Sequence, residues 1–533
     1  MPRALIRRQI RSQRSDSPSP VSLSRRGLLG IGLGAAVVFA LDACGGNATS
    51  VGAGGAGGAA GGSGAITWAW QLPTTWDPVT SSAGSDVQML ALSYDALTAL
   101  DDSGNAVGWL AERWKHNADG TQVTFTLRKG LKFSDGSPLD ATAVAKSINR
   151  GRTQKDSLIA PQMADIKDVT AKGDLDVVVT LTDTNYQYPL LFAGKTGMVV
   201  NPAVFEKDAG SLATKPAGSG PFRLTSYTQN DHAELVKNPH FYLADQIKVS
   251  QFKLYPQPDP ATAVASAASG QYNIVRIPAS DIEAAQQAGL EVQVLDSMFV
   301  TVLDVNAAKA PFDNPAVVQA MKYGIDREKI KEVANFGVGD VNYQPFPKGY
   351  VGHNDSLDHL YDHDPAKARK ILADAGLSGG VKGTFSVPSP TPPAVELIQA
   401  QLKEVGIDLT LETIPATQWT QIVYLDHSKA LGYDGFAGRE SPVQAFQVLF
   451  SGTGLMNPAR NDDPELIAQL AKVRSTPTDD PSYPGLLQEA TRITVTKFPN
   501  TFLYNAPYVV VRQKSVTALR QHPSLRRFEG ISA

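Results

Sequence analysis

The sequence predicts an α/β protein with largely parallel strand pairing. Asp259-Pro260 opens an Ala-rich helix that stops at Gly270, with Pro at the first helical position where its missing N–H costs nothing. Ser280-Asp281-Ile282-Glu283 reads as a capping box for a helix ending at Gly289, and Glu291 to Leu295 follows as a strand. The same order returns with a helix over 395–405, Gly406, and the strand Ile407-Asp408-Leu409-Thr410-Leu411. Helices alternating with short strands indicate α/β architecture. The chain has 533 residues. At roughly 100–200 residues per domain it should form two or three domains.

From the N-terminus, residues 1–26 hold seven Arg and no Lys, and Ser24-Arg25-Arg26-Gly27-Leu28-Leu29 looks like a twin-arginine export signal. The apolar run Leu28 to Leu41 is shorter than the roughly 20 residues of a spanning helix and fits the apolar region of a signal peptide. Cys44 is the only cysteine, which excludes a disulfide or a thiolate cluster within one chain. Leu41-Asp42-Ala43-Cys44 resembles a lipobox, although Asp42 departs from the usual small neutral residue. Residues 1–43 are therefore expected to be a lipoprotein signal peptide, Cys44 a lipid anchor, and 44–64, mostly Gly and Ala, a flexible tether. Removing 1–43 moves the net charge from −3 to −8, which argues against non-specific nucleic-acid binding.

In the body, Ile66-Thr67-Trp68-Ala69-Trp70 reads as an opening strand, with Trp68 in the core, Trp70 on the opposite face, and Trp76-Asp77-Pro78 on the loop that follows. Asp119-Gly120 makes a turn. Val123, Phe125 and Leu127 then alternate with polar residues, as a strand with one buried face does. Ser134-Asp135-Gly136-Ser137-Pro138 is a second turn, and Asp140 can cap a helix in which Val144 and Ile148 stack. Val177 to Leu181 is a buried strand, and Phe222 to Val236 a hairpin. Asn314 caps and Pro315 starts a helix that reaches Ile325-Asp326-Arg327-Glu328. Asp364-Pro365 opens another helix that runs to Gly376.

Several of these stretches together resemble the family 5 extracellular solute-binding proteins of peptide and nickel ABC importers. The signature is Leu110-Ala111-Glu112-Arg113-Trp114, Asp119-Gly120, Phe125-Thr126-Leu127-Arg128-Lys129-Gly130 and Phe133-Ser134-Asp135-Gly136-Ser137-Pro138. Tyr94-Asp95-Ala96-Leu97, Gly218-Ser219-Gly220-Pro221-Phe222, Ala310-Pro311-Phe312-Asp313-Asn314-Pro315 and Asp364-Pro365-Ala366-Lys367 extend the likeness over residues 66–515. The resemblance implies a two-lobed periplasmic-binding-protein-like fold, class II, of the large three-subdomain type, with a ligand cleft between the lobes. Lobe I would comprise 65–92, 218–302 and 500–533 with an inserted subdomain at 93–217, and lobe II would run over 303–499. It also implies a monomeric, non-enzymatic, lipid-anchored protein without cofactor, passing peptides or peptide-like solutes to membrane permease subunits, with the ATPase on a separate chain. The same fold binding a metal complex, a glycan or another solute remains an alternative, as does a secreted hydrolase.

Phe436-Ala437-Gly438-Arg439-Glu440-Ser441-Pro442 bears on the ligand. In peptide-binding relatives the matching loop carries a tryptophan and an aspartate that pairs with the peptide's amino group. Here Phe436 stands for the tryptophan, with Arg439 and Glu440 near the aspartate's place. Glu440 could pair with an ammonium group, and Arg439 would favour a carboxylate or phosphate. Trp70, Trp76, Tyr343, Phe346, Trp419, Phe436, Arg439, Glu440 and Ser441 are the expected ligand-binding residues. His353, His359 and His363 lie among Asp355, Asp358, Asp362 and Asp364, in a polar loop where solvated His and Asp are ordinary, and no metal is expected there. Gly376-Leu377-Ser378-Gly379-Gly380 matches a hydrolase pattern, but its serine follows a helix where the pattern requires a strand. Gly194-Lys195-Thr196 ends like a phosphate loop, but Pro189 replaces the first glycine.

Overall fold

A computed structural model describes residues 64–520 and 530–532. The expected signal peptide, Cys44 and the tether up to residue 63 lie outside the described residues. Three larger sheets organise the rest. The first has seven strands in the order Glu291–Leu295, Tyr508–Arg512, Ile274–Arg276, Ala65–Trp70, Gln251–Pro256, His232–Lys237 and Phe222–Thr228. The second has six, in the order Asp340–Val341, Thr501–Asn505, Val300–Val305, Leu431–Phe436, Val381–Ser389 and Ile407–Pro415. The third, Ala111–His116, Gln122–Leu127, Asp176–Leu181 and Ile166–Lys172, lies in the stretch expected to form the inserted subdomain and packs one face on the helix Ala141–Thr153.

The local expectations mostly hold. Val123, Phe125 and Leu127 are buried between half-buried neighbours. Asp140 accepts from Ala143 N at 2.8 Å, Asp259 from Ala261 N at 2.9 Å, Asn314 from Ala316 N at 2.9 Å and Asp364 from Lys367 N at 2.8 Å. Each satisfies a helix-start donor that has no partner within the helix.

Several expectations are corrected. Pairing is mixed rather than largely parallel. Ala65–Trp70 is parallel to both its neighbours, and Val381–Ser389 to both of its own, while the remaining pairs are antiparallel. Ile274–Arg276 and Glu291–Leu295 do not pair because Tyr508–Arg512, arriving from the far end of the chain, lies between them antiparallel to each. Trp68 and Trp70 share a face, since residues two apart on a strand point the same way, and their rings meet at 5.8 Å. The capping box at 280–283 does not form, because the Ser280 hydroxyl turns to Asp281 instead. The stretch 315–328 is two helices: Ile325 is extended, and Asp326 caps a second helix through Lys329 N.

The chain passes between the seven- and six-stranded sheets twice. One crossing is Asp296 to Phe299 and the other Ala506-Pro507, rather than near residues 302 and 500. The crossings are tied side by side: Ser297 Oγ donates to Ala506 O at 2.8 Å, and Ala506 N to Phe299 O at 3.2 Å. Two short adjacent connections between rigid sheets have the form of a hinge.

Candidate functional site

The loop leaving the central strand Leu431–Phe436 carries Ala437 to Ser441 and feeds the helix Pro442–Phe450. Gly438 has φ +77, and a Cβ there would run into Met298 of the first crossing, so the loop can press against the hinge only with glycine. Arg439 and Glu440 are half-buried where this loop meets the other half of the molecule. The Arg439 guanidinium lies 5.3 Å over the Phe436 ring and donates to Gly438 O, while its neighbour across the seam is Gly84. Glu440 projects onto Gly194 of the inserted subdomain, where a Cβ would sit 2.6 Å from both carboxylate oxygens. No ion pair between Arg439 and Glu440 forms among the described residues.

Next to Gly194, Lys195 reaches back to Ser81 O at 2.9 Å and Ala83 O at 3.1 Å. Burial lowers its pKa to about 8, opposed by Asp86 and Glu440 and aided by Arg439. Burial likewise raises Glu440 above the usual carboxylate value, with Arg439 and Lys195 pulling the other way. Gln187, 3 % exposed, spans the seam. Its amide oxygen accepts from Tyr483 OH at 2.9 Å and Ser441 Oγ at 3.4 Å, and its amide nitrogen is buried without a partner. Ser441 therefore does not cap its own helix. Tyr186 N donates to Arg474 O at 2.9 Å, and Tyr350 OH to Glu440 O at 3.4 Å. The arrangement offers an acceptor, a guanidinium and an unused amide donor at one junction, with no nucleophile set beside a base.

The other expected residues are placed differently. Trp76, Phe346 and Phe436 are core side chains, and Trp70 is packed beside Trp68 and Tyr508 with Arg276 over its ring. Tyr343 donates to Asp362 at 2.7 Å beneath Arg327. Trp419 donates to Asp434 at 3.0 Å. The histidines part company. His353 faces Asp355 and Asp358, His359 pairs with Asp362, and His363 lies 3.6 Å from Asp326. Ser378 stands in the turn after the helix Pro365–Asp374, with Gly376 at φ +77 as its stop. Lys195, Gln187 and Tyr483 went unrecognised in the sequence. Gly194-Lys195 was visible there only as a broken phosphate loop, and nothing local connects Gln187 to Ser441, 254 residues away.

A two-lobed molecule hinged by paired crossings, with polar groups facing one another across the seam, has the build of a solute-binding protein. Residues 105–457 match the bacterial extracellular solute-binding proteins, family 5, Middle, and the chain belongs to that family. It is 26% identical over 389 residues to a glutathione-binding protein, GsiB, of Salmonella paratyphi A, a match covering 71% of this chain and 73% of the relative. Its fold is similar to that of the periplasmic binding protein DppA of Helicobacter pylori in complex with the peptide STSA. The TM-score is 0.78 at 21% identity, over 88% of this chain and 98% of the other. It is also similar to NikZ of Campylobacter jejuni in complex with Ni(L-His), with a TM-score of 0.75 at 21% identity, over 87% and 96%. The chain is thus the substrate-binding protein of an ABC transporter, a binder and not an enzyme. No helix among the described residues is long and apolar enough to cross a membrane.

Proposed function

We propose that the protein captures peptides or peptide-like small molecules between its lobes and delivers them to membrane permease subunits. In this reading residues 1–43 direct export by the twin-arginine route, Cys44 carries the lipid, and 44–64 tether the body to the membrane. The observation that carries the reading is Glu440 and Arg439, side by side at the seam, each acting on the other's charge without a contact ion pair between them among the described residues. A carboxylate suits a peptide's ammonium group and a guanidinium suits a carboxylate. The relatives named for glutathione and for a bound peptide support the same solute class. Closure would remove the solute from water, with a few polar groups fixing its orientation. Trp419 and Tyr343 are supporting residues here, since their polar atoms are already engaged by Asp434 and Asp362.

The test is native mass spectrometry of protein purified gently from its host, with the released solute weighed and sequenced. Recovered peptides support the reading. A single non-peptide species or a metal complex overturns it, and so does an empty protein that cleaves peptides.

A further inference from the structure

The segment between the strand Asp340–Val341 and the helix Pro365–Asp374 gathers three metal-ligating side chains that the seam does not use. Asp355–Leu357 is a single 3-10 turn, in which residues three apart lie one above the other, so Asp355 and Asp358 come to the same side. His353, just before the turn, is 7 % exposed and faces both. Its Nε2 lies 3.5 Å from Asp355 Oδ1 and 3.3 Å from Asp358 Oδ1, and one ligand atom from each of the three residues falls within 4.8 Å of the others.

The ring is fixed from its other side. Nδ1 stands 3.0 Å from Phe346 O, a group that can only accept, so Nδ1 carries the hydrogen. In the neutral ring Nε2 therefore presents a lone pair to two carboxylates. The Gln344 amide reaches this group with two N–H donors, and Asn354 O at 3.1 Å and Asp358 Oδ1 at 3.2 Å take them ahead of Nε2 at 3.3 Å. The amide is held in that orientation because its oxygen accepts from Asn354 N at 2.8 Å. No lysine or arginine pairs with either aspartate among the described residues. Three acceptors thus face one another around a point that calls for a cation.

We infer that His353 Nε2, Asp355 and Asp358 bind a divalent cation of the zinc type, with water completing its shell. Zinc bonds of about 2.0–2.2 Å to nitrogen and oxygen set neighbouring ligands of a tetrahedral ion roughly 3.4 Å apart. The spacings of 3.3 and 3.5 Å from Nε2 match. A backbone carbonyl on the far nitrogen is the usual support of a ligating histidine. An imidazole with two carboxylates suits zinc better than calcium, which takes six or more oxygens. The ion is a fixture of the chain, fastening the turn to His353, and not the solute carried in the seam.

The full-length protein, stripped with chelator and titrated calorimetrically with zinc chloride, should bind about one ion per chain with a Kd on the order of 10 μM or tighter, and zinc should raise its melting temperature. His353→Gln should weaken binding about tenfold or more. Asp355→Asn should do the same, and its side chain is exposed and touches only His353 among the described residues, so the fold does not depend on it. Calcium chloride should give neither heat nor thermal shift. Absence of zinc binding overturns the inference and leaves a proton alone bridging the ring and the aspartates. Zinc binding that either substitution leaves intact overturns it by placing the ion elsewhere. Calcium held as tightly as zinc overturns the assignment of the ion's class.

Discussion

Beneath the loop that carries Arg439, Asp304 and Asp434 share a buried site. Asp434 accepts from Trp419 Nε1 at 3.0 Å, Gly435 N at 2.7 Å and Tyr424 OH, and Asp304 from Asn500 at 3.2 Å. Burial and then the charge of Asp434 push Asp304 well above the usual carboxylate value, so it holds a proton that the unfolded chain releases. Between the unfolded pKa and the raised folded one the native state binds more protons, so this contribution to stability falls as pH rises. Asp304→Asn should therefore flatten the fall of urea-unfolding stability as pH rises above the ordinary carboxylate pKa. Asp434→Ala, which strands three donors, should lose about 3 kcal/mol. Gly194 offers a cleaner change. Its backbone is extended, at φ −114, so Ala fits there locally, but the added methyl displaces the Glu440 carboxylate. Gly194→Ala should weaken solute binding about tenfold or more with little change in melting temperature, as titration and thermal melts on the same preparation would show.

The helix Ala141–Thr153 is the element that fixes the inserted subdomain to the loop after the first strand. From its last turn Arg150 donates Nη1 to Asp77 Oδ1 at 3.0 Å and Nη2 to Oδ2, and both side chains are buried. The same loop is held by Asp86, which accepts from Ser81 and Thr74, and by Lys195 on Ser81 and Ala83. Breaking a buried pair leaves an uncompensated charge, so Arg150→Ala should cost about 3–5 kcal/mol in urea unfolding. Double replacement of Arg150 and Asp77 should cost less than Arg150→Ala alone. The Asp-Pro loop therefore contributes through support of the seam, and the aspartate is engaged by protein before any solute arrives.

The molecule as a whole is two large sheets joined by two crossings that hydrogen-bond to each other, with polar groups meeting across the seam between the halves. Solute bound between the halves should favour the closed arrangement. X-ray scattering should then show a smaller radius of gyration with saturating solute. Free solute at a hundred times its Kd should raise the unfolding free energy by about 2.7 kcal/mol, because only the folded state binds it.

The sequence alone determined the strands at 66–70, 123–127 and 177–181, the caps at Asp140, Asp259, Asn314 and Asp364, and, through the 110–138 signature, the family. Those properties are set by neighbours a few residues apart. Arg439 and Glu440 stood out for the same reason, as charges on a loop where relatives differ. Tertiary structure alone decided that Trp76, Phe346 and Phe436 are core, that Tyr508–Arg512 lies between Ile274–Arg276 and Glu291–Leu295, and that Gln187 and Gly194 stand at the junction. Each of those outcomes depends on segments hundreds of residues apart packing together, and a period of two or 3.6 carries no record of which distant surface a side chain will meet.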